Sequence, residues 1–213
     1  MVYPPTPRSE FFDALANEIL HNYAKGRVLV AIDGVSGGAA FGNDLAVALR
    51  ESGHVVFRAS MGDFLKPRAV RAPRGDSSAE AYYSDWFDYS AFLRVLVQPF
   101  RMGGSAGFST AYFDAARDVP RETRWVTAGQ DAILLVDGPF LQRPEIRGNA
   151  NFTVYLETPA DPTAAGLDAQ EAGAAALYET QVGPRMLASA IASPGDTTTA
   201  DGAPPKRLFA DRC

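Results

Sequence analysis

Three groups of residues in this sequence have types and spacings that suit chemistry. The first is a glycine-rich stretch, Gly34 to Gly38, lying between the apolar run VLVAID and the segment AAFGNDLAVALRESG. Strand, glycine loop, helix is an order that gathers backbone N–H groups at a positive helix end. Gly34, Ser36, Gly37 and Gly38 therefore form a candidate anion-binding loop, suited to a carboxylate or enolate oxygen without help from a lysine. The same glycines equally suit a tight turn that binds nothing. The second group is a pair of acids, Asp33 and Asp137, each closing an apolar run. At the ends of neighbouring strands they are expected to face one another across a crevice, where a carboxylate of raised pKa moves protons. A helix cap is the other use for either acid. The third group is Arg68, Arg71 and Arg74, interleaved with Tyr82, Tyr83 and Trp86. It fits an acidic or aromatic ligand held by bidentate hydrogen bonds and stacking, or else a surface loop with an aromatic foot in the core.

These groups need a scaffold, and the hydrophobic pattern supplies one. Ser9 is a candidate N-cap for FFDALANEILHNYA, whose apolar residues recur at helical spacing and whose helix is expected to end near Gly26. RVLVAID, HVVFRAS, DAILLVDG and FTVYLET read as four strands in that order, each continuous in apolar residues as strands covered on both faces are. Helical segments alternate with them, which predicts an α/β fold: a parallel sheet with helices on both sides and ligands beyond the carboxyl ends of the strands. DTTTAD, residues 196–201, is a candidate weak last strand. His21 and His54 fall where structural roles are expected.

The bulk numbers narrow the class. With 213 residues, 46% hydrophobic and 21% charged, the chain suits one domain spanning 1–213. A net charge of -5 and the absence of a Lys/Arg cluster argue against nucleic acid as a partner. The single cysteine, Cys213, allows neither an internal disulfide nor a zinc cluster, which suits a cytoplasmic protein. No run of about 18 apolar residues predicts a membrane span.

Three segments in order, RVLVAIDGVSGG, HVVFRASMGDFLKPRAVRAPRGDSSAEAYYSDWFDY and AILLVDGPFLQRPEI, resemble the bacterial uridine kinase branch of the P-loop kinases. The resemblance covers roughly residues 27–158. Its most specific landmarks are Asp63, Phe64, Pro67, Arg68, Arg71, Arg74, Gly75, Tyr82, Tyr83, Phe87, Asp88 and Tyr89. It implies a three-layer P-loop fold and an ancestral pocket for a nucleoside or similar polyol, with residues 65–87 as the substrate loop and 160–190 as the lid. Phe41, Phe64, Arg68, Arg71, Tyr82, Tyr83, Trp86 and Tyr112 are its candidate substrate-binding residues, with Phe113 and Asp114 nearby. Asp33, Asp63 and Asp137 are the candidate catalytic acids, Asp137 matching the acid that coordinates metal in the family.

The resemblance does not carry the reaction with it. A working phosphate loop reads G-x-x-x-x-G-K-[ST], with a lysine for the transferring phosphate and a hydroxyl for magnesium. Gly34 fills the first position, but Ala39, Ala40 and Phe41 stand at the last three, and Phe41 is expected to place its ring where a hydrated metal sits. Gly62 replaces the first acid of the family's acidic pair, and AAGLDAQEAGAAALYE, in the lid, has no arginine. Lys66 is the nearest substitute cation, with a solvated loop charge as its plainer role. Tyr178 and Glu179 either close over a ligand or form an ordinary helix surface. The expectation is an ATP-independent enzyme on a kinase scaffold (a cyclase, isomerase or lyase of specialised biosynthesis) that acts on a small molecule with no cofactor and no bound metal. A non-catalytic pseudokinase and a residual nucleoside kinase are the alternatives.

Overall fold

The computed structural model describes residues 8–71, 78–158, 166–193, 195 and 204–208. Arg74, Gly75, residues 196–201 and Cys213 lie outside them. Helix α1 (Arg8–Asn22) leads into strand β1 (Val28–Asp33), helix α2 (Gly38–Glu51) and strand β2 (Val56–Ser60). A 3-10 turn (Met61–Phe64), α3 (Arg68–Arg71) and α4 (Ala79–Asp85) follow. Next come α5 (Tyr89–Ala91), a π-helical run (Phe92–Val97) and α6 (Gln98–Met102). A small hairpin, β3 (Phe113–Asp114) with β4 (Val119–Pro120), precedes β5 (Ile133–Gly138) and β6 (Phe152–Leu156). The chain then forms α7 (Ala169–Val182), α8 (Pro184–Leu187), β7 (Ala190–Ser193) and β8 (Lys206–Leu208).

The main sheet has the order β2-β5-β1-β6-β7-β8. Neighbours from β2 through β7 run parallel and β8 closes the far edge antiparallel. The four strands expected from their apolar runs are its first four, and β7 and β8 extend it. Ser9 lies inside the first turn of α1, and α1 ends at Asn22, short of Gly26.

Pleating divides the core in two, because successive side chains of a strand point to opposite faces. Val28, Val30 and Ile32 of β1 join Ile133 and Leu135 of β5 under Phe12, Leu15 and Ile19 of α1 and Leu45 and Leu49 of α2. Leu29 and Ala31 join Leu134 and Val136 on the other face, under α4, the π-helical run and α7. Phe41 belongs to the first of these cores. It is fully buried, with ring centroids 4.9 Å from Phe12 and 6.0 Å from Phe11. The ring does not stand in a metal's place; helical phase turns it inward, where burial of a phenyl group is worth about 2 to 3 kcal/mol.

No helix among the described residues is long and apolar enough to cross a membrane.

Candidate functional site

The loop that opens the site is tight. Only Gly34 to Gly37 separate β1 from α2, and the Gly34 N–H donates to the Gly138 carbonyl (3.1 Å), tying the loop to the end of β5. A Cβ at Gly34 would lie 2.8 Å from the Leu156 Cβ of β6, so a larger residue does not fit. Ser36 and Gly37 are half-buried, Gly38 is buried, and the exposed Ala39 begins the outer face of α2.

Asp33 and Asp137 do not face each other. In the parallel pairing of β1 with β5, Asp137 is level with Ile32 and Asp33 with Gly138. Asp137 therefore shares the α1/α2 face with Ile32, and Asp33 projects to the opposite face. There Asp33 is fully buried, and both of its oxygens are engaged. Oδ1 accepts the Leu141 N–H (2.9 Å), while Oδ2 accepts the Gln142 side-chain amide (2.8 Å) and the Tyr178 hydroxyl (2.6 Å). Burial pushes its pKa up to about 6, against the pull of those three donors. Tyr178, from α7, also accepts the Gln142 N–H (2.9 Å), and Tyr155 of β6 donates to Glu179. Tyr178 is thus neither a lid side chain closing over a ligand nor part of a helix surface. With Asp33 and Gln142 it locks α7 to the loop after β5.

Asp137 has a different partner. The Arg58 guanidinium of β2 forms an ion pair with it, and also reaches Asn43 Oδ1 (2.7 Å) and the Ala39 carbonyl (3.3 Å) of α2. Arg58 is level with Leu135, two residues before Asp137, so its side chain rises along the same face to the crevice. Asp63 stands close by on the 3-10 turn after β2. Partial burial raises its pKa, helped by the charges of Asp137 and Asp114 and opposed by Arg121, whose guanidinium is 3.7 Å away. Asp63, Asp137, Arg58 and Arg121 therefore form one charged group at the carboxyl ends of β2 and β5. Such a set can move a proton through Asp63 and hold an oxyanion on guanidinium groups.

The substrate-loop residues divide. Phe64 is fully buried against Phe92 (5.4 Å) and is core. Tyr82 and Tyr83 are buried against Phe140 (5.7 and 5.2 Å), forming an aromatic foot. Arg71 is buried as well. It donates to the Lys66 carbonyl (2.7 Å), approaches Asp118 (3.5 Å) and covers Trp86 (4.9 Å), so it fastens its own loop. Trp86 and Tyr112 are half-buried and Arg68 is exposed, with the Arg68 backbone N–H donating to Asp118 (2.8 Å). Among the described residues, the buried Trp86 indole nitrogen and Tyr89 hydroxyl have no hydrogen-bond partner. A Cβ at Gly62 would meet only the Ser60 hydroxyl, at 3.6 Å.

Sequence reasoning missed Arg58, Arg121 and Gln142. Arg58 carried a signal, since a lone arginine inside the apolar run HVVFRAS needs a partner if it is not to break the strand. It also missed Arg185, at the start of α8, which pairs with Glu157 just after β6.

No protein-family model and no curated protein matches the chain. Its structure is similar to that of a possible uridine kinase from Bacillus stearothermophilus, with 27% sequence identity, a TM-score of 0.72, and coverage of 85% of this chain and 97% of that one. A putative fructose transport system kinase from Silicibacter sp. TM1040 shares the fold at 24% identity and a TM-score of 0.56, covering 80% of this chain and 89% of that one. With its sheet order, glycine loop and strand-end acids already described, the chain has the P-loop kinase fold, and its structure is similar to that of a possible uridine kinase.

Proposed function

We propose that this chain is an enzyme that no longer transfers phosphate from ATP and carries out acid–base chemistry on a small molecule beside Asp63: a cyclisation, rearrangement or elimination. The Arg58–Asp137 pair is the observation that carries this reading. The residues around the loop do not fit a magnesium-bound triphosphate. Ala39 and Ala40 bring neither cation nor hydroxyl, Phe41 is in the core, and the Asp137 carboxylate is neutralised by a guanidinium. Phosphoryl transfer depends on positioning and charge stabilisation, so these changes together are expected to cost several orders of magnitude in rate. Asp63, half-buried and raised in pKa, is the proton-transfer group of this reading. Asp33 is a positioning residue, since its oxygens are sealed from a ligand.

Calorimetric titration with ATP and magnesium, beside a panel of nucleosides and with product analysis, tests the proposal. The expected result is no ATP consumption; spending of ATP on an alcohol at an enzyme-like rate overturns it. Nucleoside binding without turnover of any kind would indicate a regulator instead. A retained kinase is the second reading, favoured by Arg58 beside the first turn of α2 and by Arg185 next to the lid helix. That reading requires Arg58 to leave Asp137 for a phosphate, and it stands only if Arg58→Ala abolishes an ATP turnover present in the parent protein.

A further inference from the structure

β2 lies at one edge of the sheet, and a cavity of about 390 Å³ lies along it, between the strand and the segment that runs from Ser109 to Val126. Its walls include Arg58, Ser109, Thr110, Arg121, Glu122 and Arg124. Three arginines against one glutamate give it a positive balance in a protein whose net charge is -5. Two of the three arginines also touch the candidate catalytic acids: Arg58 pairs with Asp137, and Arg121 reaches Asp63 at 3.7 Å. The third, Arg124, is exposed and has no hydrogen-bond or ion-pair partner among the described residues. Two of the lining guanidinium groups thus link the cavity to the acids, and one cation on its rim has no partner among the described residues.

We infer that this cavity binds the acidic group of a small molecule, a carboxylate or a phosphate monoester, through Arg121 and Arg124, holding the rest of the molecule against Asp63. A planar guanidinium presents two parallel N–H donors that match the two oxygens of either group. An oxyanion there also draws Arg121 away from Asp63, which removes the charge that opposes the raised pKa of that acid and strengthens its hold on a proton. Occupancy of the cavity and the state of Asp63 are coupled in this way. The inference names the substrate class for the site proposed above and rests on that reading for the role of Asp63, but anion binding itself does not depend on it.

Titration of the full chain with inorganic phosphate and, separately, with succinate, in the absence of ATP and magnesium, tests the inference. Binding is followed by calorimetry and by the fluorescence of Trp125, which is 57% exposed and adjoins Arg124. At least one probe is expected to saturate, and the preferred probe tells carboxylate from phosphate. Arg124→Ala and Arg121→Ala should each weaken it by roughly tenfold or more, the loss of a charge-assisted hydrogen bond, with Arg124→Lys recovering part. Arg147→Ala, in a separate cavity on the loop after β5, should leave the affinity unchanged. Failure of both probes to saturate, or equal affinity in Arg121→Ala and Arg124→Ala proteins with native circular dichroism, overturns the inference. Consumption of ATP in the separate assay overturns the proposed reaction and leaves this result standing.

Discussion

Asp33 and Asp137 end neighbouring parallel strands within one residue of each other in register, yet they inhabit opposite chemical settings. Asp33 is sealed among neutral donors from the loop after β5 and from α7, so burial dominates and its carboxyl is pushed up to about 6. Asp137 meets a full positive charge and is held as an ion pair. A single step of register reverses the face to which a strand residue points. The role of an acid at a strand end is thus decided by pleat parity and by what the facing helix offers, not by nearness to the glycine loop.

Breaking the Asp137 side should have the largest effect. Arg58→Ala leaves a nearly buried carboxylate alone and is expected to cost about 3 to 4 kcal/mol by urea denaturation. Asp137→Asn added to it should recover at least half of that; a loss below about 1 kcal/mol in the single variant would class the pair as a surface contact. The Asp33 side is read through pH. Its folded pKa lies above the ordinary 3.8, so the folded state holds the proton more tightly than the unfolded chain. Its contribution is full below about 3.8 and is lost as pH rises through about 6, a decline of no more than about 3 kcal/mol. In Asp33→Asn that part of the slope should vanish, and an unchanged slope would mean that another group titrates. Next in size is Tyr178→Phe, which removes a buried hydroxyl bonded to a carboxylate and to Gln142, at about 2 kcal/mol. Smallest is Gly62→Asp, whose Cβ would be in ordinary contact with the Ser60 hydroxyl and which should stay within about 0.5 kcal/mol of the parent in the same denaturation measurement.

The sequence displayed the scaffold well and the site unevenly. Short, β-branched apolar runs such as VLVAID and AILLVD fit strands covered on both faces, and the helical spacing between them fits crossovers, so the parallel sheet was legible. The short β7 and β8 were not, because four and three residues carry too little periodicity to distinguish them from a loop. Phe41 was misplaced because its position in a motif says nothing about helical phase, whereas its spacing from Leu45 and Leu49 marks the buried stripe of α2. The resemblance implies ligand contacts for Phe64, Tyr82 and Tyr83, but a motif position does not say which way an aromatic side chain points, and all three are buried in the core. The Arg58 pairing joins residues 79 positions apart, and no local pattern encodes such a meeting.

One hydrogen atom makes that meeting possible. Gly42 lies on α2 directly under the Arg58 guanidinium, and a Cβ there would sit 2.6 Å from the nearest guanidinium nitrogen. Because only the flexible end of Arg58 would have to yield, alanine at this position would leave the helix intact and push the cation aside. The Asp137 carboxylate would then lose its guanidinium partner. The partner that Asp137 meets across the sheet is thus set in part by a position that carries no side chain.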